Sequence, residues 1–145
     1  MSFIAETSLV IPHPPEKVYE RLADVGSWHR YMPPDFRPVG SPQGTLKLGT
    51  RLKVKLLHLP VPTPLEVYLA NPPFELGWGG GNHKLLGAWH RFVFEPEADG
   101  AHTRARSLET WEGVLSFAVR PLLQPLAVKI ANSQLAALKR SFDVM

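Results

Sequence analysis

From Leu126 onward the chain repeats its apolar residues at the period of an α-helix. At 100° per residue Leu126, Ala127, Ile130, Ala131, Gln134, Leu135, Leu138 and Phe142 share one broad arc, while Lys129, Asn132, Ser133, Lys139 and Arg140 take the other. A helix of this kind draws its stability from whatever covers its apolar arc. The residues before it must therefore build that cover. Pro121 and Pro125 predict a broken start to the helix, from about Phe117.

The preceding chain reads as one strand, two helices and a run of strands. Residues 3–11 form an apolar, β-branched segment that ends at Pro12. Pro14 and Pro15 open a helix with Val18, Leu22 and Val25 on one face, which Gly26 and Ser27 end. Ser27 is placed to cap a second short helix, Trp28-His29-Arg30-Tyr31, stopped by Pro33 and Pro34. A strand is predicted near residues 36–40. Arg51–Leu56 alternates basic and apolar residues with period two, the mark of an antiparallel strand with one wet face. The prolines of residues 59–64 make that stretch a hairpin connection, with Leu57, Leu59, Val61 and Leu65 read as a packed apolar loop. Strands follow at 65–70, 74–78, 88–94 and 103–111, with turns at Gly79-Gly80-Gly81-Asn82 and at Asp99-Gly100. Strands in a run with helices set to one side make an α+β architecture. At 145 residues, with no repeat or linker, residues 1–145 form a single domain.

Several function classes are excluded on the same page. There is no Cys, so disulfides, thiolate zinc sites and Cys nucleophiles are ruled out, which suits a reducing compartment and a cytoplasmic location. His13, His29, His58, His83, His90 and His102 are scattered without paired spacing, so no metal and no cofactor are expected. A net charge of +3 is too small to imply a nucleic-acid partner, and Arg51, Lys53 and Lys55 read as a solvated strand face. Residues 77–81 are Gly-rich, but no Lys-Ser/Thr pair follows them to make a phosphate loop. No apolar run is long enough to span a membrane, and the first residues lack the pattern of a signal peptide, so neither stable membrane insertion nor export is expected.

Four stretches carry a family likeness. They are Ile11-Pro12-His13-Pro14-Pro15-Glu16-Lys17-Val18-Tyr19; Leu22-Ala23-Asp24-Val25 with Trp28 and Tyr31; His90-Arg91-Phe92-Val93-Phe94-Glu95-Pro96 running to Thr103 and Glu109-Thr110-Trp111-Glu112-Gly113; and residues 135–139. In this order they resemble the START-like, or SRPBCC, superfamily, and most of all its polyketide cyclase/dehydrase and lipid-transport group. The chain departs from that pattern at His13, where the family has a small residue, and in its proline-heavy hairpin. The resemblance implies a helix-grip fold: a curved antiparallel sheet of six to seven strands around a long C-terminal helix, with two short helices after the first strand and a cavity between sheet and helix. It implies an apolar ligand such as a lipid or a polyketide.

The centre of the helical arc holds Ala127, Ala131 and Gln134. Small residues facing a curved sheet leave volume, and empty volume costs on the order of 24 cal/mol per Å3. Either Trp78, Phe92, Phe94 and Trp111 fill it, or a ligand does. Strand alternation turns Val54 and Leu56, Val67 and Leu69, Trp78, His90 and Phe92, and Glu109 and Trp111 inward, with Arg104 and Arg106 outside. With Ala127, Ala131 and Gln134 from the helix, these inner residues make the expected ligand-binding set. His90 and Glu109 then lie on neighbouring strands, either as a structural pair or as the group that orients a ligand. His58 is expected at a rim or turn. The expected function is binding or transport of a hydrophobic small molecule, by a monomer or homodimer. One alternative is a cyclase/aromatase-type enzyme using His90 and Glu109 as acid and base. Another is an interaction module like the family's chaperone cofactors.

Overall fold

The computed structural model describes residues 2–56 and 59–144. The elements in chain order are β1 (Ser2–Ile11), α1 (Pro15–Ala23), a 3-10 turn (Val25–Ser27), α2 (Trp28–Tyr31), β2 (Phe36–Pro38), β3 (Arg51–Leu56), β4 (Thr63–Asn71), β5 (Glu75–Gly81), β6 (Gly87–Glu97), β7 (His102–Glu112) and α3 (Ser116–Val144). The strands form one seven-stranded antiparallel sheet in the order β1-β7-β6-β5-β4-β3-β2. The sheet curls into a half-barrel around α3, giving the α+β arrangement expected.

The long helix lies along the β1 flank from end to end. Near its start the Arg120 guanidinium sits over the Phe3 ring, and Gln124 Nε2 donates to the Ile4 carbonyl. Near its end the Phe142 ring stacks on His13 with centroids 4.3 Å apart. His13, the departure from the family pattern, thus closes the last turns of α3 against the chain just beyond β1. The helix is unbroken through Pro121 and Pro125, contrary to the interrupted start expected. The two prolines lie four residues apart on one exposed face. Their missing N–H groups strand carbonyls that water can reach, so the usual cost of an interior proline is softened.

Trp28, Phe36, Trp78, Phe92 and Phe94 are all buried and fill the inner face beneath α1 and α2. Trp28 packs between Trp78 at 5.2 Å and Phe36 at 5.6 Å, and its Nε1–H donates to the Leu22 carbonyl at 2.8 Å. Ser27 does not cap α2; its hydroxyl donates to the Asp24 carbonyl instead. On the outer face Arg51, Arg91, Arg104 and Arg106 pair with Glu66, Glu75, Glu97, and Glu6 and Glu95. Among the described residues no helix is long and apolar enough to cross a membrane.

The hairpin leading into β4 is not the packed loop expected. Leu59 and Val61 are exposed, and only Leu65 packs on the core. Leu57 and His58 lie outside the described residues. β4 itself starts earlier than expected, with Pro64 paired to Lys53.

Gly79, Gly80 and Gly81 belong to β5 rather than to a turn, pairing with Trp89, Ala88 and Gly87. The reason is crowding. A Cβ on Gly79 would meet the Trp89 ring and come within 2.6 Å of the Ala88 carbonyl, and one on Gly80 would lie 2.7 Å from the Pro64 carbonyl. The bare backbone lets adjacent strands close up where the sheet curls. Gly79→Ala is expected to lower the unfolding free energy by about 1–3 kcal/mol in urea denaturation, as overpacking does elsewhere.

Candidate functional site

The aromatic core stops short of the first half of α3. Between that half and β5, β6 and β7 lies a cavity of about 300 Å3. The sheet supplies Trp78, Ala88, His90, Glu109 and Trp111, and the helix supplies Leu123, Leu126, Ala127, Ile130 and Gln134. Phe36 and Leu56 close the far side, and the half-exposed Leu59 stands at the rim. Apolar side chains dominate this wall, and its polar members are His90, Glu109 and Gln134.

Those polar residues are held by the strand register. His90 on β6 pairs directly with Glu109 on β7. The His90 ring stacks on Phe92 at 4.2 Å, and its Nε2 shares a 2.5 Å hydrogen bond with the Ser107 hydroxyl. Its Nδ1 lies 3.5 Å from Glu109 Oε2. Burial pushes the Glu109 carboxyl up to about 7, with the nearby Trp111 indole N–H drawing it slightly back, and burial pushes the His90 imidazolium down to about 3. Desolvation of both groups outweighs their attraction. Between about pH 3 and pH 7 the pair is a neutral carboxyl beside a neutral imidazole, not an ion pair. Gln134 is only 2% exposed, and its Oε1 has no hydrogen-bond partner. The buried Trp111 Nε1–H has the Glu109 carboxyl as its neighbour and favours its ionised form.

The sequence that folds into this half-barrel around a long helix matches one family model. The model describes polyketide cyclase / dehydrase and lipid transport proteins and matches residues 2–143. The chain belongs to this family. No curated protein matches the sequence. Solved structures share the family fold at low identity. A hypothetical protein from Helicobacter pylori is 16% identical with a TM-score of 0.72, covering 96% of this chain and 87% of that one. The Zhui aromatase/cyclase from Streptomyces sp. R1128 is 13% identical with a TM-score of 0.71, covering 99% and 94%. Norcoclaurine synthase from Thalictrum flavum is 12% identical with a TM-score of 0.66, covering 100% and 96%.

Within this family fold the residues singled out from sequence divide. Leu56, Trp78, His90, Glu109, Trp111, Ala127 and Gln134 line the cavity. Val54, Val67, Phe92 and Ala131 do not; they are buried away from its wall. Ala131 is turned about 60° around the helix from Gln134, which takes it off the cavity side. Leu69 is misplaced by a bulge. The β4–β5 register shifts between Val67 and Leu69, so the inward positions run Leu65, Val67, Ala70, and Leu69 leaves the inner face. Phe36, Leu59, Ala88, Leu123, Leu126 and Ile130 join the wall beyond the expected set. Ala88 was readable, two residues before His90 on the same strand face. Leu123 was hidden by the expected break at Pro121 and Pro125. Ser107, two residues before Glu109 on the same face of β7, joins the polar set through its hydrogen bond to His90.

The opposite pKa shifts give a testable pH signature. Glu109 titrates near 4.5 unfolded and about 7 folded, so its stabilising contribution is lost as pH rises toward 7. His90 titrates near 6.5 unfolded and about 3 folded, so its contribution is lost as pH falls toward 3. Between about pH 4.5 and 6.5 the unfolded chain carries the shared proton on His90 and the folded chain carries it on Glu109. The pair then contributes no net slope to stability across that window. In Glu109→Gln only the His90 term remains, and stability relative to wild type is expected to fall by about 1.4 kcal/mol per pH unit on acidification through it. Urea titrations of both proteins between pH 4.5 and 6.5 check this.

Proposed function

We propose that the protein binds a hydrophobic small molecule in the cavity between α3 and the sheet. The observation that carries this reading is the cavity itself: about 300 Å3 of mainly apolar lining with a few convergent polar groups. Ligand sites are built this way, with apolar burial for affinity and a few polar groups for orientation. A void of this size has a large energetic penalty if it serves no purpose. The family description, lipid transport alongside cyclase chemistry, agrees with a greasy ligand.

Glu109 favours a second reading, acid–base catalysis of the cyclase type. Its carboxyl titrates at about 7 in the cavity wall, where a general acid or base works best at neutral pH. His90 stays neutral beside it, and its burial makes it a poor proton acceptor, so Glu109 carries the acid–base role. The aromatase/cyclase neighbour shares the fold only, so its chemistry is not carried over.

Two experiments separate these readings. Ala127→Phe puts a ring into the cavity from the helix side. It is expected to weaken binding of ligand extracted from the purified protein by more than about tenfold, with the melting temperature moving by less than about 5 °C. Native mass spectrometry and calorimetry read this, and unchanged binding would remove the cavity reading. If the protein turns over a cyclisable substrate, Glu109→Gln is expected to cut kcat by about 10²-fold or more. Its pH–rate profile is expected to lose the limb near pH 7. Full activity in that variant would remove the catalytic reading and leave binding.

A further inference from the structure

Large apolar side chains crowd one end of the molecule and face water. Leu59 and Val61 on the β3–β4 hairpin, Leu85 on the β5–β6 turn, and Val114, Leu115 and Phe117 where β7 passes into α3 are each 48–70% exposed. Strand register brings these segments to the same end of the sheet. Gly81 closes β5 opposite Gly87, Gly87 opens β6 opposite Glu112 near the end of β7, and Glu66 early in β4 lies opposite Gly79. The Val114 and Leu115 N–H groups donate to the Lys84 and Leu85 carbonyls, which ties the β5–β6 turn to the start of α3. At the other end, among the described residues, the β4–β5 and β6–β7 turns expose Phe74 alone of this kind. Exposed apolar side chains gathered at one place mark an interaction surface. The charge there has one sign. Residues 57–65, 82–86 and 113–125 include Lys84 and Arg120 and no Asp or Glu, and α3 has no acidic residue before Asp143. Lys84 and Arg120 are both exposed. Arg120 rests on the Phe3 ring and donates to Gln124, which are neutral, while the nearby Glu112 carboxylate is engaged by His83 and Trp89.

We propose that this end docks peripherally on an anionic phospholipid membrane, with its apolar side chains in the headgroup layer and Lys84 and Arg120 among the lipid phosphates. A lipid surface asks for no shaped pocket. It takes apolar side chains presented together, with cations beside them, from whichever segments supply them. A second copy of the chain is the poorer fit. Meeting end to end, two copies would bring Lys84 and Arg120 against their counterparts, with no free carboxylate in these segments to receive them. An anionic bilayer supplies the missing sign. The proposal needs only surface residues and does not depend on the cavity holding a ligand. Leu59 belongs to both, since it also lines the cavity, so the docked end includes the cavity rim.

Flotation of the full chain with vesicles tests the docking, because it follows the protein and not any lipid the protein might carry off. The probes are vesicles of phosphatidylcholine alone and of equimolar phosphatidylcholine and phosphatidylglycerol. Partition onto the mixed vesicles is expected to exceed that onto phosphatidylcholine by about fivefold or more, and to fall at high salt. Val114→Ser with Phe117→Ser is expected to lower it by about tenfold, and Lys84→Glu by about fivefold or more. Phe74→Ser, at the opposite end, is expected to leave it unchanged. All these side chains are exposed, so melting temperatures are expected to stay within about 3 °C of wild type. The proposal is overturned if the protein stays off the mixed vesicles, if it floats equally with phosphatidylcholine alone, or if the Val114 and Phe117 variant floats like wild type. Sedimentation velocity supplies the other arm. A dimer that this variant dissolves, with no vesicle binding by wild type, would make the apolar end a self-association surface and end the membrane reading.

Discussion

A stiff rod laid in a curved trough can touch it along only one side, and that geometric fact organises the molecule. α3 has 29 residues, roughly 44 Å of helix. It follows β1 from Phe3 and Ile4 to the neighbourhood of His13. The sheet curls away from that line, and the gap has to be filled or left open. Beneath α1 and α2 it is filled, by Trp28, Phe36, Trp78, Phe92 and Phe94. Beside the first half of α3 it is open. The interior is therefore divided into a closed aromatic core and a chamber, with Trp78 belonging to both.

The chamber carries polar groups that packing alone does not require. A buried carboxyl, a buried imidazole and a buried amide are each expensive in an apolar setting. His90 and Glu109 limit that expense by remaining neutral and by facing one another across a strand pair. Ser107 and Phe92 fix the imidazole from two other sides. Gln134 has no such compensation for its carbonyl. An apolar residue of the same shape would serve a purely architectural role at least as well. Its position in the cavity wall agrees with the ligand-binding function proposed above.

Much of this was legible in the sequence wherever a single period governs a segment. The alternation of Arg51–Leu56 matches β3 residue for residue. The inward phase of His90 and Glu109 followed from period two, and the polar and apolar sides of the last helix from period 3.6. What escaped was set by contacts distant in sequence. The bulge at Val67 and Leu69 changes phase within a strand, and no local pattern marks it. Gly79 and Gly80 look like part of a turn, yet they are strand residues because Trp89, Ala88 and Pro64 crowd them from neighbouring strands. Pro121 and Pro125 look like a break, yet both face water, where unpaired carbonyls are tolerated. That misreading also hid Leu123 from the cavity.

The strand order has a consequence for how the protein is made. Among the described residues β1 pairs only with β7, with Ser2 opposite Glu112 and Ile11 opposite Thr103. β1, made before the other six strands, must wait, unpaired, until the last of them has emerged. Pairing across such a separation closes a large loop at an entropic cost that local contacts cannot offset early. Folding of this sheet is thus set to complete only once β7 has been made, with the helix that grips β1 arriving just behind the strand that pairs with it.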